Sequence, residues 1–337
     1  MKSHILSIIL VILIPICFVT DILFGSVQIP LQGFIDVLQG NDDNSLWYNI
    51  IVRLRLPRAI SAILVGIALP ISGLLMQTLF KNPLADPYIL GVSTGASLGV
   101  AFYSLMGGIT LGIFTILNGS LGTAISALIG SSIIILLILV IAPKIKNIAS
   151  LLIIGIMFGS LTSAIVNMLQ YFSNPDEVHN FLLWTMGSLA NIDKTEIVLM
   201  TTVIVPITIA TLLIHKPLDA ILLGENYAHS LGVNIGKIKI VIIVFSTILA
   251  SIVTAFAGPI GFVGMTVPHI ARFLFKTNSH KKLIINAILI GVNLMLICDL
   301  ISQLPGTQTM LPINTVTAIF GAPIVILVIY RSRRNNL

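Results

Sequence analysis

Three arginines lie within six residues of one another, at Arg53, Arg55 and Arg58. A guanidinium group can pair with a carboxylate through two parallel hydrogen bonds, so a cluster of arginines is suited to docking an acidic partner or substrate. The uncharged run 59–80 follows at once, and its roughly 22 residues are long enough to cross a hydrocarbon layer of about 30 Å. The alternative role is anchoring, because arginines near a helix end can reach the lipid headgroups.

The sequence contains few other patterns of reactive residues. It has no HExxH zinc motif, its six histidines are scattered, and Cys17 and Cys298 lie far apart inside apolar runs. The segment 232–238 faintly resembles a phosphate-binding loop, but it lacks the four-residue spacer and the Ser or Thr after Lys237. We therefore expect no enzymatic activity, no metal site and no nucleotide site in this chain.

The composition is that of a polytopic membrane protein. Of the 337 residues, 56% are hydrophobic and only 9% are charged, whereas soluble domains carry roughly 25% charged residues. The mean hydropathy is +1.07. We therefore predict a single transmembrane domain over residues 1–337, surrounded by membrane lipid. The net charge of +6 does not indicate a nucleic-acid partner, because Lys and Arg in membrane proteins mainly mark the cytoplasmic side.

The hydropathy pattern predicts an all-α bundle of about ten transmembrane helices. The piece at 258–270 is short and broken by Gly and Pro, so we place it inside the bundle, where protein or water can satisfy irregular backbone. Short extramembrane helices are expected around 31–39 and, as a pair, within 215–236. The ten predicted spans are 5–23, 58–80, 88–106, 117–142, 151–172, 196–214, 238–256, 258–270, 283–303 and 313–330.

The basic residues orient these spans. Ten crossings place both termini on one side, and 14 of the 18 basic residues then fall on that side, which identifies it as cytoplasmic. The outer side keeps only Arg53, Arg55, Arg58 and Lys194. Anchoring explains three outer arginines poorly, because their position opposes the general bias. Docking is therefore the preferred reading of the cluster.

The predicted spans carry little charge in their interiors. Asp299 is expected near the outer end of the ninth span, next to water. Carriers coupled to protons or sodium usually hold charged or coordinating groups near mid-membrane, so an ion-coupled secondary transporter is the less favoured alternative. Asn167 and Gln170 could line a passage or bond across helices. Gly91, Gly95 and Gly99 form one face of small residues, which we expect to pack helices within the chain.

One cytoplasmic segment could dock a separate nucleotidase that supplies the driving force. It reads as a short helix that ends at a glycine breaker, between two basic patches. An ordinary connecting loop would give the same pattern, and periodicity does not decide between the two. The residues singled out are Gly224, Glu225, Ala228, Leu231 and Gly232.

Short motifs in a fixed order along nearly the whole chain carry a family resemblance. Each is weak alone, but the set at this spacing is specific. They are Arg55-Leu56-Pro57-Arg58; Gly73 with Gln77; Asn82-Pro83-Leu84-Ala85-Asp86-Pro87 with Leu90-Gly91; Trp184 with Gly187-Ser188; Gly224-Glu225 with Ala228 and Leu231-Gly232; the run from Gly258 to Gly264 with Pro268-His269 and Arg272; and Leu311-Pro312 with Gly321-Ala322-Pro323. In these motifs the chain resembles the FecCD family, the permeases of ATP-binding cassette (ABC) importers for iron chelates, haem and vitamin B12.

The resemblance implies a type II ABC importer permease in the bacterial cytoplasmic membrane. Ten helices per subunit would surround a passage shared with a second copy of the permease or with a paralogue. Two cytoplasmic ATPase subunits would bind ATP and Mg, an external binding protein would deliver the solute, and this chain would hold no cofactor. A ferric siderophore is the first expectation for the cargo, with haem or cobalamin as alternatives.

The resemblance also implies roles for particular residues. The segment 224–232 would contact the ATPase, and Arg55 and Arg58 would face carboxylates of the binding protein. Gln303 stands where the family often has an arginine after the aspartate of the ninth span. One expected ion pair is then absent, and either Arg53 compensates or the partner lacks the acid. The passage would be lined by roughly 151–190, with Asn167, Gln170, Trp184, Gly187 and Ser188 as passage or gate residues.

Overall fold

The computed structural model describes residues 2–25, 27, 29–40, 46–105, 120–145, 148–304 and 309–334. Every regular element in these ranges is helical. A π-helix at Asn49–Arg55 joins α3 to α4, and 3₁₀ turns lie at Pro87–Leu90 and Ala142–Lys144. The α-helices are α1 (Lys2–Leu23), α2 (Leu31–Leu38), α3 (Leu46–Tyr48), α4 (Leu56–Phe80), α5 (Val92–Leu105), α6 (Ser120–Ile141), α7 (Ile148–Phe172), α8 (Pro175–Thr185), α9 (Lys194–Leu213), α10 (His215–Leu223), α11 (Glu225–Ser230), α12 (Ile235–Ala257), α13 (Val263–Phe275), α14 (His280–Ser302) and α15 (Ile313–Arg334).

The predicted all-α bundle is confirmed. Seven described helical segments are long and apolar enough to cross a membrane, and α5, α13 and α15 supply three shorter apolar stretches. These ten elements match the ten predicted spans one for one, so the chain is a multi-pass membrane protein. The short helices expected around 31–39 and within 215–236 are α2, α10 and α11. The predicted start of the fourth span at 117 lies outside the described residues.

The third span begins later than predicted. The prediction began the helix at Tyr88, but the α-helix begins at Val92. Asp86 caps a 3₁₀ turn by accepting a hydrogen bond from the Tyr88 N–H. Gly91 then takes a left-handed conformation with φ +80°, which separates the turn from α5. The hydropathy of this segment does not reveal the change, because the turn is apolar as well.

Helix α4 lies at the centre of the bundle and is buried along nearly its whole length. It packs between α12, α13 and α14, and glycines allow its backbone to approach two of them. A Cβ on Gly66 would lie 2.6 Å from the Gly291 carbonyl oxygen of α14, and a Cβ on Gly73 would overlap the Gly264 carbonyl of α13. Close approach of small residues is the usual way in which helices associate in lipid.

The predicted small-residue face of α5 packs within the chain. A Cβ on Gly95 would lie 2.8 Å from the Gly130 carbonyl oxygen of α6, and one on Gly99 would overlap the Ser126 carbonyl. Gly91 precedes α5, and a Cβ there would lie 3.3 Å from the side chain of Ile134 on α6. The expectation of intrachain packing at these glycines is therefore confirmed.

Helices α4 and α14 run antiparallel and define the two ends of the bundle. At one end Arg58 of α4 meets Asp299 of α14, and at the other Thr78 of α4 meets His280 of α14. These are called the Arg58 end and the His280 end below. The short helices α10 and α11 lie at the His280 end, where Asp219 of α10 contacts His280.

Candidate functional site

The three arginines lie on the π-helix and on the first turn of α4, and they differ in exposure. The helical segment begins at Leu46, ten residues before α4 itself, and passes through the π-helical turns that carry Arg53 and Arg55. Arg53 is exposed to solvent. Arg55 and Arg58 are each only 7% exposed and point into the bundle. Of the three predicted docking arginines, Arg53 alone presents its side chain at the surface.

Arg58 is held by a buried carboxylate. Its Nε lies 2.9 Å and 2.8 Å from the two carboxylate oxygens of Asp299, and its Nη2 donates to the Ser302 hydroxyl at 2.7 Å. Asp299 is fully buried. The prediction that Asp299 lies next to water is therefore wrong. Its burial is tolerated because a guanidinium and neighbouring donors satisfy both oxygens.

Gln303 extends this buried pair to α1. Its amide nitrogen donates to Asp21 at 2.9 Å and to Asp299 at 3.1 Å. Arg55 also contacts this region of the chain. Its guanidinium donates to the backbone carbonyl of Ile22, at 2.6 Å, and to that of Val27. The side chains Asp21, Arg55, Arg58, Asp299, Ser302 and Gln303 are called the Arg58 network below.

The Arg58 network joins the ends of α1, α4 and α14. Each of its two carboxyl groups and two guanidinium groups makes a described hydrogen bond within the network or to a backbone carbonyl. Breaking a buried ion pair costs much more than an exposed pair contributes. In this conformation Arg55, Arg58 and Gln303 make buried contacts within the chain, and their predicted contact with a binding protein remains a prediction.

A cavity of about 560 Å³ opens at the Arg58 end. Its described wall is formed by Arg58 and Ser302, by parts of α5, α6 and α8, by the end of α12 and by residues 310–313. Most of the wall is apolar or aromatic, including Phe181, Trp184 and Phe256. Arg58 is the one charged side chain on the wall among the residues that the structure describes. The cavity can therefore accept a bulky solute without binding it through many fixed charges.

Three of the predicted gate residues line this cavity. Trp184, Gly187 and Ser188 lie at and just after the end of α8. Gly187 has φ +74°, and the N–H of Ser188 donates to the Ala257 carbonyl at 2.9 Å, so this turn rests against the end of α12. Gly258 also has positive φ, and a Cβ there would lie 2.5 Å from the Trp184 carbonyl oxygen. The glycines allow α8 to close one side of the cavity.

The other two predicted passage residues lie elsewhere. Asn167 is exposed on α7 and Gln170 is partly exposed, and neither is part of the cavity wall. Within the described part of the chain, no hydrogen bond joins either side chain to another helix. Neighbouring residues of α7 are exposed and apolar, with Leu161 58% and Met168 60% exposed. This face of α7 is therefore available to lipid or to another subunit.

The segment singled out at 224–232 forms a small helical unit at the His280 end. Gly224 and Gly232 flank α11 with φ +129° and +78°, a region that favours glycine. Ala228 is fully buried, while Glu225 is exposed and forms a salt bridge to Lys239 at 2.8 Å. The predicted role of Gly232 as the helix breaker is confirmed, because α11 ends at Ser230 and its cap residue is followed by this glycine.

Large apolar side chains project from this segment and from the residue just before it. Leu223 is 71% exposed, Tyr227 50% and Leu231 59%. They lie on or directly after the short helices α10 and α11, outside the long apolar helices, and basic residues precede and follow this stretch in sequence at Lys216, Lys237 and Lys239. An exposed apolar group in such a place indicates a protein contact more readily than a lipid contact. We call Leu223, Tyr227 and Leu231 the apolar triplet.

The loop between α4 and α5 contains a buried carboxylate. Asp86 is 6% exposed, and burial raises its pKa to about 6 even though the Tyr88 N–H donates to it. The native state thus binds the proton more tightly than the unfolded chain, whose pKa is 3.8. The stability from this group is fully present below pH 4 and is lost as the pH rises through 6.

Asp86→Asn should remove that pH dependence. The amide keeps an acceptor for the Tyr88 N–H but does not ionise. The stability of the variant relative to wild type should therefore rise by about 2 kcal/mol between pH 4 and pH 7. Apparent melting temperatures in detergent across this range measure the difference. Asp176→Asn, at an exposed position on α8, is the control. Parallel pH curves for Asp86→Asn and wild type would contradict the assignment.

Sequence reasoning missed three polar residues that the structure brings into buried contacts. Asp21 lies in an apolar run, and an acid in such a run was the available signal. His280 and Asp219 contact each other across 61 positions of sequence. No local pattern indicates a contact at that separation, and His280 seemed to be one of several scattered histidines.

Comparison with known proteins places this geometry in context. A model described as the FecCD transport family matches residues 10–331. The hemin transport system permease protein HmuU of Yersinia pestis is 34% identical over 299 residues, which cover 89% of this chain and 88% of that protein. The vitamin B12 import system permease protein BtuC of Escherichia coli O9:H4 (strain HS) is 34% identical over 282 residues, 84% of each chain.

Solved structures agree with the fold. One, described as an inward-facing conformation of a transporter assigned to the metal-chelate ABC type, superposes with a TM-score of 0.84 at 25% identity, covering 97% of this chain and 99% of that chain. PsaBC from Streptococcus pneumoniae, in complex with Fab, gives a TM-score of 0.53 at 15% identity, covering 88% of this chain and 95% of that chain. The second likeness concerns the fold alone.

Proposed function

The chain belongs to the FecCD transport family, and from this we propose that it is the permease subunit of an ABC importer for a chelated-metal solute. One observation supports the proposal beyond the family: the two ends of the bundle carry different surface features. An apolar-walled cavity opens at the Arg58 end, and the apolar triplet projects at the opposite, His280 end. An importer whose energy comes from separate ATPase subunits needs a solute path at one face and a binding surface for the ATPase at the other.

The proposed cargo is an iron chelate, with a ferric siderophore first. The cavity wall of mainly apolar and aromatic side chains suits a solute whose metal is already wrapped in an organic ligand. Haem and cobalamin fit the same description, and the names of two relatives concern hemin and vitamin B12. Ligand binding by the cognate external protein distinguishes the three.

The proposed assembly places the Arg58 end outside and the His280 end in the cytoplasm of a bacterium, with both termini cytoplasmic. The chain pairs with a second copy of itself or with a paralogue in the cytoplasmic membrane. Two ATPase subunits dock on 215–236 and bind ATP and Mg, so the permease itself needs no cofactor and catalyses no hydrolysis. The exposed apolar side chains of α7 face lipid or the second permease.

Co-expression with the cognate ATPase and binding protein tests this assembly. Affinity purification through the permease should recover the ATPase in a 1:1 ratio of chains, and the loaded binding protein should stimulate ATP hydrolysis by the complex. If the permease, shown to be folded and monodisperse, is recovered without the ATPase, the proposed function is wrong.

Arg53 is the proposed docking residue for the binding protein, because it is the exposed member of the cluster. Arg53→Glu should lower the association rate constant by about threefold or more at low salt, with a smaller effect at high salt, because rim charges act mainly through steering. Surface-immobilised complex measures the rates, with Lys281→Glu at the His280 end as the control. Equal rates for both variants at low salt would contradict docking at Arg53.

A further inference from the structure

A chain of three side chains, centred on a buried imidazole, connects the short helices at the His280 end to the core of the bundle. The Nδ1 atom of His280 lies 2.7 Å from an Asp219 carboxylate oxygen, and its Nε2 atom lies 2.8 Å from the Thr78 hydroxyl. The imidazole is fully buried, and Asp219 is 35% exposed. Asp219 belongs to α10, His280 to α14 and Thr78 to α4, so one side chain bridges three helices.

Asp219 also caps α14. His280 is the first residue of that helix, and its backbone N–H is one of the donors that the helix cannot satisfy internally. The preceding residue, Ser279, makes no side-chain capping bond. The same Asp219 oxygen accepts the His280 N–H at 2.7 Å. A helix is usually capped by the side chain of its own N-cap residue, but here the capping carboxylate comes from α10. Helix α14 therefore cannot shift relative to α10 without losing its cap.

The two core helices in this chain are fastened to each other along their length. Thr78 and His280 join them at one end, and Arg58 and Asp299 join them at the other. Between these points, Gly66 and Gly291 bring the two backbones into direct contact. Helices fixed at both ends and close-packed in the middle move as one body rather than sliding.

This body spans the bundle. Arg58 and Ser302, at its far end, form part of the cavity wall, next to the turn after α8. A displacement applied to α10 would pass through Asp219 and His280 into α4 and α14. It would change the cavity about 30 Å away, since 20 residues of α4 separate Thr78 from Arg58 at 1.5 Å per residue.

We propose that Asp219, His280 and Thr78 are positioning residues that transmit the movement of α10 and α11 to the α4 and α14 pair and so to the cavity wall. This inference rests on the proposed function, since it takes the ATPase to act on the 215–236 segment. None of the three residues lines the described cavity. Their effect is on the ratio of solute transported to ATP hydrolysed.

The test uses the complete importer in proteoliposomes. Thr78→Val removes the hydroxyl while nearly keeping the shape, and Thr78→Ser keeps the hydroxyl. Asp219→Ala removes the acceptor of the hydrogen bonds from the His280 backbone N–H and from its Nδ1 atom. Lys281→Ala, at the exposed position next to His280, is the matched control. ATP hydrolysis, uptake of the solute bound by the binding protein, and thermal stability are measured on the same preparations.

Thr78→Val and Asp219→Ala should lower the uptake per ATP by about fivefold or more, the lower bound of typical coupling between sites. Thr78→Ser and Lys281→Ala should keep the wild-type ratio. A merely structural role would lower the melting temperature and the amount of active complex but leave the ratio unchanged, and that result would overturn the inference. Failure of the wild-type complex to show ATP-dependent uptake would instead refute the proposed function.

Discussion

Asp299→Ala should prevent most of the protein from folding stably. The substitution leaves the Arg58 guanidinium buried without its carboxylate, and removing one partner of a buried ion pair costs about 3–5 kcal/mol. Asp299 lies where α1, α4 and α14 meet, so its removal should destabilise the packing of all three helices. Membrane-extracted yield of monodisperse protein and the apparent melting temperature measure the effect. Arg53→Ala, which changes an exposed arginine of the same cluster, should change both by little.

A second variant separates burial of charge from loss of packing. In Arg58→Met with Asp299→Leu, neither charge remains, and apolar replacements of buried pairs are often neutral or stabilising. This double variant should recover most of the yield that Asp299→Ala loses. If Asp299→Ala is as stable as Arg53→Ala, the Arg58 network does not hold the helices together, and Arg58 is free to serve a partner instead.

Charged substitutions in the apolar triplet should strongly weaken assembly with the ATPase. Tyr227→Glu combined with Leu231→Glu places two carboxylates on side chains that are 50% and 59% exposed in the isolated chain. Truncating a central apolar anchor of an interface typically costs about 2 kcal/mol or more, and burying a charge there costs further. The dissociation constant for the ATPase should therefore rise by about thirtyfold or more. Pull-down and titration of detergent-purified permease with ATPase measure it.

Lys282→Glu provides the control, since it adds negative charge at an exposed position of the same end of the bundle. It should leave ATPase affinity close to wild type. Because the triplet is exposed, the double variant should also keep the melting temperature of the wild-type permease. Unchanged affinity in a folded Tyr227→Glu, Leu231→Glu permease would place the ATPase contact elsewhere.

The fold was largely predictable because lipid constrains it. Spans must be apolar, long and helical, so ten crossings could be placed from hydropathy alone. The short element at 258–270 was correctly assigned to the interior because its glycines and prolines exclude an ordinary span. The start of α5 was misplaced because the 3₁₀ turn at 87–90 is as apolar as the helix that follows it. Only the positive φ of Gly91 and the cap by Asp86 separate the two.

The candidate site was predicted less well, because its contacts are distant in sequence. The arginine cluster was singled out from its charge and position, but charge bias alone could not tell an exposed guanidinium from one paired inside the bundle. Arg58 and Asp299 are 241 positions apart, and Thr78 and His280 are 202 apart. Gln303 was read as a missing ion pair, whereas its amide bridges two buried carboxylates. Such pairs follow from helix packing, which a single sequence does not encode locally.

Solute uptake into proteoliposomes tests the central claim most directly. With the permease, its ATPase and the loaded binding protein present, uptake should require ATP and should persist when proton and sodium gradients are collapsed. The permease alone should accumulate nothing under either gradient. Accumulation by the purified permease under a proton or sodium gradient, without ATP or partners, would contradict the account and identify the chain as an ion-coupled carrier.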